Sequence, residues 1–149
     1  MFAPTAVLRS ARADELDAVR ALLGRCGLAT ADLDDGPPAE FAVALDGGQL
    51  VGAAALQRFG DAGLLRSVAV DPDWRGHGIA AALVESIEAG ARSLGLRELW
   101  LLTTSARGWF ERLGYRAASR TEAPAAIQAS RQFVSLCPAS SACLVKLLR

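Results

Sequence analysis

The chain has 149 residues, the size of one domain that hides about two thirds of its unfolded surface, so one compact core over 1–149 is expected. Sixteen basic and sixteen acidic side chains cancel, which argues against nucleic acid or an anionic membrane as a charge-driven partner. No stretch approaches the ~18 apolar residues of a spanning helix, and Arg9, Arg12, Asp14 and Glu15 interrupt the start, so neither anchor nor signal peptide is expected.

In chain order, Val7 to Arg9 open a first strand. Ser10 to Asp14 offer caps ahead of Leu16, Val19, Leu22, Leu23 and Cys26, which share one helical face, and Gly27 stops that helix, predicted over about 13–26. Residues 28–40, with Asp32, Asp34, Asp35, Pro37 and Pro38, read as a loop or one short turn of helix. Phe41–Leu45 and Gln49–Gln57 around Asp46-Gly47-Gly48 form a hairpin, and Gly60-Asp61-Ala62-Gly63 turns into a third strand, Leu64–Val70. The period then changes. Ala80, Leu83, Val84, Ile87, Ala91 and Leu94 mark a helix over about 77–94, and a buried strand at 96–102 returns parallel to 64–70 through that crossover. A short helix at 105–113, a strand near 115–119, a short helix at 124–131 and a last strand at 142–147 complete the pattern. The fold class is mixed α/β, a largely antiparallel sheet with one parallel pair and flanking helices.

Cys26, Cys137 and Cys143 are too few and too irregular for a disulfide framework, and with a single histidine they have no metal-ligand spacing, so no metal is expected. They read as reduced thiols of a cytoplasmic protein, with Cys137 a small buried hydrophobe.

The segment Val70-Asp71-Pro72-Asp73-Trp74-Arg75-Gly76-His77-Gly78-Ile79-Ala80 carries the chemistry. A strand ends, a turn follows, and two glycines open a helix whose first turn has no acidic residue. Glycines let the backbone approach a ligand closely, and the free N–H groups of a helix start favour an anion such as a pyrophosphate. A P-loop is excluded because no Gly-Lys-Ser/Thr follows. Gly76, Gly78 and Ala81 satisfy the dinucleotide pattern G-x-G-x-x-A. Five residues separate Val70 from Gly76, however, antiparallel hairpins come first, and Thr103 and Thr104 stand where an acidic ribose ligand would. A bare turn without a ligand is the other reading of these glycines.

The same segment resembles motif A of the GNAT superfamily of N-acetyltransferases, V-x-P-x-x-R-G-x-G-I-G/A, throughout Val70 to Ala80. Trp109-Phe110-Glu111-Arg112-Leu113-Gly114-Tyr115 resembles the family's next segment, F/Y-E-K-L-G-F/Y. Within the superfamily, Leu64–Val70, Leu101–Thr104, Ala123–Ile127 and Leu136–Ser140 are similar to small acetyltransferases of arsenic-resistance operons. Leu102-Thr103-Thr104 with Trp109-Phe110 is similar to the acetyltransferase domain of N-acetylglutamate synthases. The resemblance implies acetyl-CoA as cosubstrate and a small-molecule amine as acceptor, an amino acid or a toxic amino-acid analogue, and admits a homodimer. The alternatives are an amino-acid acetyltransferase like those of N-acetylglutamate synthases, rather than the arsenic-resistance type, and a non-catalytic acyl-CoA-binding module.

By resemblance, coenzyme contacts fall to Val68, Ala69, Val70, Arg75, Gly76, His77, Gly78, Ile79, Ala80, Thr103 and Phe110, with the Val68 N–H as oxyanion donor. Ser67 lies near the position where some relatives place a glutamate base, and its hydroxyl could orient a water. The family's usual acid, a tyrosine, is replaced by Phe110, which has no proton to give. Water can serve instead, since the departing thiol has a pKa near 8.5 and an α-amine near 8 is partly neutral at neutral pH. Tyr115 reads as packing, and His77 as a loop residue. Arg66, on the face of its strand opposite Leu65, offers a planar fork to a substrate carboxylate, arsonate or phosphinate if that face borders the acceptor cleft, with a surface ion pair as the plainer reading. Arg120 invites the same reading.

Overall fold

The computed structural model describes residues 6–28, 30, 31, 33, 36–136 and 140–148. Seven strands form one sheet among them: β1 (Val7–Ser10), β2 (Glu40–Asp46), β3 (Gln49–Phe59), β4 (Ala62–Val70), β5 (Glu98–Thr103), β6 (Arg116–Ala117) and β7 (Ala142–Leu147). Their order is β1-β2-β3-β4-β5-β7-β6, with every neighbour antiparallel except β4 and β5. Helices α1 (Leu16–Arg25), α2 (Ile79–Ser93), α3 (Arg107–Arg112) and α4 (Ala125–Gln128) flank it. The expected mixed sheet with its single parallel pair is the observed one.

Strand alternation sorts the core. Ala42, Ala44, Ala54, Leu65 and Leu99 face α2, against Leu83, Val84 and Ile87, and α3 adds Phe110. Their neighbours Val43 and Ala53 face the other way onto Val19, Leu22 and Leu23 of α1, while Leu64, Trp100 and Val145 meet Ile127 and Phe133 farther along that second face. Each strand residue lies one position from a partner on the opposite face, as the period of two requires. Gly52 lets α2 sit low on β3: a Cβ there would stand 3.0 Å from Ile79 Cγ2 and from Leu83 Cδ1.

Boundaries move from the sequence reading where local hydrogen bonds decide them. Helix α2 starts at 79 rather than 77, because Gly76 and Gly78 hold φ of +85° and +79°, which no right-handed helix accommodates. Residues 13–15 form a tight 3-10 turn ahead of α1, fixed by the Glu15 carboxylate accepting the Arg12 N–H at 2.8 Å. The second hairpin is tighter than expected. Phe59 pairs with Ala62 across Gly60-Asp61, so Ala62 and Gly63 belong to the strand. Strand β5 begins at 98 because the Leu96 N–H still closes α2 on Ala91 O, and β6 shrinks to two residues because the Tyr115 N–H closes α3 on Phe110 O. Beyond α4, Gln132–Leu136 wind into the wider π helix rather than extending one short helix. The loop at 28–40 falls in part, and Cys137 wholly, outside the described residues.

Candidate active site

The sheet opens in its middle. Strand β4 pairs with β5 only at Ala62↔Glu98, Gly63↔Leu99 and Leu64↔Trp100; past Leu64 the two strands part. On its other side β4 carries a bulge. Ala53↔Ala69 and Ala55↔Arg66 are in register, so Ser67 and Val68 together oppose Ala54, and Ser67 takes φ +59°. It is the one non-glycine with positive φ among the described residues. The extra residue reverses the strand's parity: Leu65 and Arg66 obey ordinary alternation, yet Val68 and Val70, not Ser67 and Ala69, then join the α2 side. Neither Ser67 nor Val68 has a ladder partner in β3 or β5 among the described residues.

A cavity of about 680 Å³ fills this opening. One wall is β4 from Leu65 to Val70, the other Leu101 to Ala106 with Trp109 and Phe110. At one end stands the start of α2: Gly76, Gly78, Ile79, Ala80 and Ala81 line the cavity, and no acidic side chain sits in the first turn. This fifteen-residue helix aims its unsatisfied N–H groups and positive dipole end there. Arg75 also lines it. Its Nε donates to Val70 O at 3.1 Å and its Nη2 lies 3.7 Å from Cys26 Sγ, which joins the turn after β4 to the end of α1. Trp74 stands beside it, edge-on to His77 with ring centroids 6.4 Å apart.

At the other end Arg66 is 3% exposed, so it is no surface ion-pair partner. Its Nε donates to Ser67 Oγ and its Nη1 to Gln57 Oε1, both at 3.2 Å, while Gln57 Nε2 donates to Pro37 O at 2.9 Å. These bonds fix the plane of a guanidinium that lines the cavity. Gln132, from the π helix, and Ser141, just before β7, also line the cavity.

The structure brings Arg66, Ser67, Val68, Ala69, Val70, Arg75, Gly76, Gly78, Ile79, Ala80, Thr103 and Phe110 to this one cavity; His77 is outside its lining. Thr103 Oγ1 accepts the Ala106 N–H at 3.0 Å and so shapes the turn into α3. Tyr115 is buried behind Phe110, ring centroids 5.5 Å apart, and donates its hydroxyl to Glu88 Oε2 at 2.9 Å. Burial, reinforced by the Glu88 carboxylate, raises its pKa above the usual phenol value, and Tyr115 is not among the residues that line the cavity. Arg120 likewise stays out of the lining: its Nη1 donates to Phe133 O at 2.9 Å. Burial also raises the Cys143 thiol pKa, consistent with an unreactive core cysteine. No cluster of metal-ligating side chains occurs among the described residues, and no described helix is long and apolar enough to cross a membrane.

Residues 37–117 match the family model of the GNAT acetyltransferase domain. The chain belongs to the GNAT family. Over 89 residues, 58% of its length, it is 39% identical to an amino-acid acetyltransferase of Azotobacter vinelandii and 38% identical to one of Pseudomonas fluorescens, but it spans only about a fifth (21%) of each of those proteins. Among solved structures it is similar to N-acetylglutamate synthase from Neisseria gonorrhoeae complexed with coenzyme A and N-acetyl-glutamate. The TM-score is 0.82 at 26% identity, covering 99% of this chain and 36% of that one. A Mycobacterium tuberculosis protein in complex with CoA superposes with a TM-score of 0.79 at 26% identity, over 96% of this chain and 99% of that one.

The sequence reading missed the bulge, the Gln57–Arg66 contact, Trp109, Gln132 and Ser141. A small polar residue inside an apolar strand, as at Ser67, was the one available sign of the bulge. Gln132 lies in a stretch with neither helical nor strand period, and nothing in its neighbourhood marks it.

Proposed function

We propose that this GNAT chain is, as one domain, an acetyl-CoA-dependent N-acetyltransferase acting on the α-amine of an amino acid in the cytoplasm. The opening between β4 and β5 carries this reading: it joins a helix start suited to a pyrophosphate to a buried arginine suited to a carboxylate. The amino-acid acetyltransferases among the relatives support an amino acid over an arsenic-containing analogue as acceptor.

The residues present fit a bound acyl-coenzyme. The N–H groups at Gly78, Ile79 and Ala80 would take the pyrophosphate, the backbone of Val68 to Val70 the extended arm, and Phe110 with Trp109 would pack against it. When bound, the coenzyme supplies a thioester carbonyl open to attack. Val68, which the bulge leaves without a register partner, would turn its N–H toward the charge that grows on the acyl oxygen, where a preorganised donor is most effective. Ser67 Oγ, already accepting from Arg66, keeps its own hydrogen for a water beside the amine. Arg66 would hold the carboxylate and so place the amine.

A second reading, a non-catalytic acyl-coenzyme-binding module, is favoured by the lining itself, which contains no phenol: Phe110 lacks one and Tyr115 is committed to Glu88. One experiment separates the two. Acetyl-CoA should raise the melting temperature, and thiol should be released when amino acids are added. A thermal shift without thiol release across all amines would favour the binding module. No shift at millimolar acetyl-CoA in folded protein would sink both.

A further inference from the structure

Gln57 is an amide in β3 that is only 3% exposed, following the buried Ala53, Ala54, Ala55 and Leu56. Holding an amide in such a place costs free energy unless both of its ends are bonded. In the ladder Ala55 pairs with Arg66 and Gln57 with Leu64, so Gln57 shares a face with Arg66 and lies diagonal to it, within reach of a long side chain. Both ends of the amide are spent. Its Oε1 accepts from Arg66 Nη1 at 3.2 Å, and its Nε2 donates to Pro37 O at 2.9 Å.

These two partners narrow the choice of residue type. A guanidinium only donates and a backbone carbonyl only accepts, so the side chain between them needs an acceptor at one corner and a donor at the other. Lysine would turn a donor toward Arg66, and glutamate an oxygen toward Pro37 O. Glutamate would differ in a second way, because a carboxylate against the guanidinium pairs its charge, the usual means of burying an arginine. The amide instead orients the fork and brings no charge of its own. Ser67 Oγ, which accepts from Arg66 Nε, is neutral as well.

We propose that Gln57 sets the selectivity of this cavity for acceptors bearing a carboxylate: acting through Arg66, it fixes the plane of the guanidinium without cancelling the charge that the carboxylate meets. Gln57 is not among the residues that line the cavity, so it is a positioning residue. The inference rests on the reading of Arg66 given above and deepens it. Recognition of the acid is decided one strand away from where the acid binds, and Pro37 ties the same amide to the segment before β2.

The test compares an amino acid with its carboxamide, which keeps the α-amine and has no charge at the acid position. With the full chain, thiol release from acetyl-CoA over a panel of amino acids identifies an acceptor, and kcat and KM are then measured for it and for its carboxamide. Wild type should favour the acid at least thirtyfold in kcat/KM. Gln57→Met, which keeps the length and loses both hydrogen bonds, should reduce this preference about fivefold. Gln57→Glu should abolish it through a higher KM for the acid, with kcat and the KM of the carboxamide within threefold of wild type. A side chain that served the fold alone would, when replaced, impair both acceptors alike and leave their ratio where it was. A ratio within twofold of wild type in folded Gln57→Glu, or in folded Gln57→Met should the glutamate variant not fold, would overturn the role of Gln57 while leaving the acetyltransferase standing. A wild type that takes acid and carboxamide equally would overturn the proposal together with Arg66 as the carboxylate site. A protein that binds CoA yet releases thiol with no amine would defeat the enzyme reading and this proposal together.

Discussion

The two ends of the cavity are built from different material. The α2 end is made of backbone: glycines at 76 and 78, the N–H groups that follow them, and the bulged strand leading in. The rest of its polar lining comes from side chains of separate parts of the chain, with Arg66 on β4, held by Gln57 of β3, Gln132 on the π helix and Ser141 before β7. A backbone site requires particular residues at fixed spacing, because only glycine takes the left-handed turn at no steric cost. A side-chain site requires only that the fold deliver suitable groups to one place. The first kind tolerates little change, whereas the second can be rewritten one residue at a time.

The sharpest way to break this contrast is Gly78→Val. A Cβ at Gly78 would meet no protein atom within 4 Å, so its effect must come from the +79° φ, strained for a β-branched residue, and from intrusion on the ligand. Acetyl-CoA affinity should fall about a hundredfold, with the acceptor end unaffected. Unchanged coenzyme affinity by calorimetry would place the phosphates elsewhere and dissolve the distinction.

A smaller effect is expected between the two ends, on α3. Phe110→Tyr should not lower the single-turnover rate of acetylation, since it adds only a hydroxyl beside the cavity. Tyr115→Phe should change that rate less than about tenfold, or ~1.4 kcal/mol of barrier. It removes a buried donor from Glu88, which keeps Lys146 Nζ at 3.0 Å, so its main consequence should be a melting temperature lower by several degrees. A hundredfold rate loss in a stable Tyr115→Phe protein would make Tyr115 the acid.

The smallest effect lies outside both ends. Glu15 joins β1 to the turn before α1, accepting from both Arg9 nitrogens and from the Arg12 N–H. The Arg9 hydrogen bonds, then the Arg12 backbone, lower its pKa to about 2. A depressed carboxylate contributes stability that is fully present above the ordinary glutamate value near 4.3 and is lost as pH falls toward 2. Glu15→Gln should therefore flatten the acid limb of the stability profile in that window and leave coenzyme affinity unchanged. An identical acid limb in the variant would remove Glu15 from that role.

The contrast also explains what could be read from the sequence. Gly76 and Gly78 after Val70, and the helical period that follows, announced the glycine-led start of α2, because left-handed glycines and a 3.6 period leave a linear trace. The alternation of Leu64, Leu65 and Arg66 placed Arg66 on the proper face. The bulge at Ser67 did not show, since one inserted residue is written only in the register with β3. Gln132 and Ser141 join Arg66 in one cavity lining through the arrangement of the sheet, which has no local signature. Arg66 could not be told from a surface ion-pair partner for the same reason: its burial depends on elements distant in the chain.

The three-rung junction of β4 and β5 gives the sheet an edge in its interior. Exposed edges invite stray strands to add themselves, and proteins usually blunt them with charge, proline or a covering loop. This one lies inside the sheet, where the walls that part at Leu64 stay joined at the base by three paired positions. A slender, flexible molecule with a few polar atoms along its length would suit such an opening. The fold thereby turns a liability for aggregation into a filter on molecular shape, and it does so with the unpaired amides and carbonyls that every sheet already possesses.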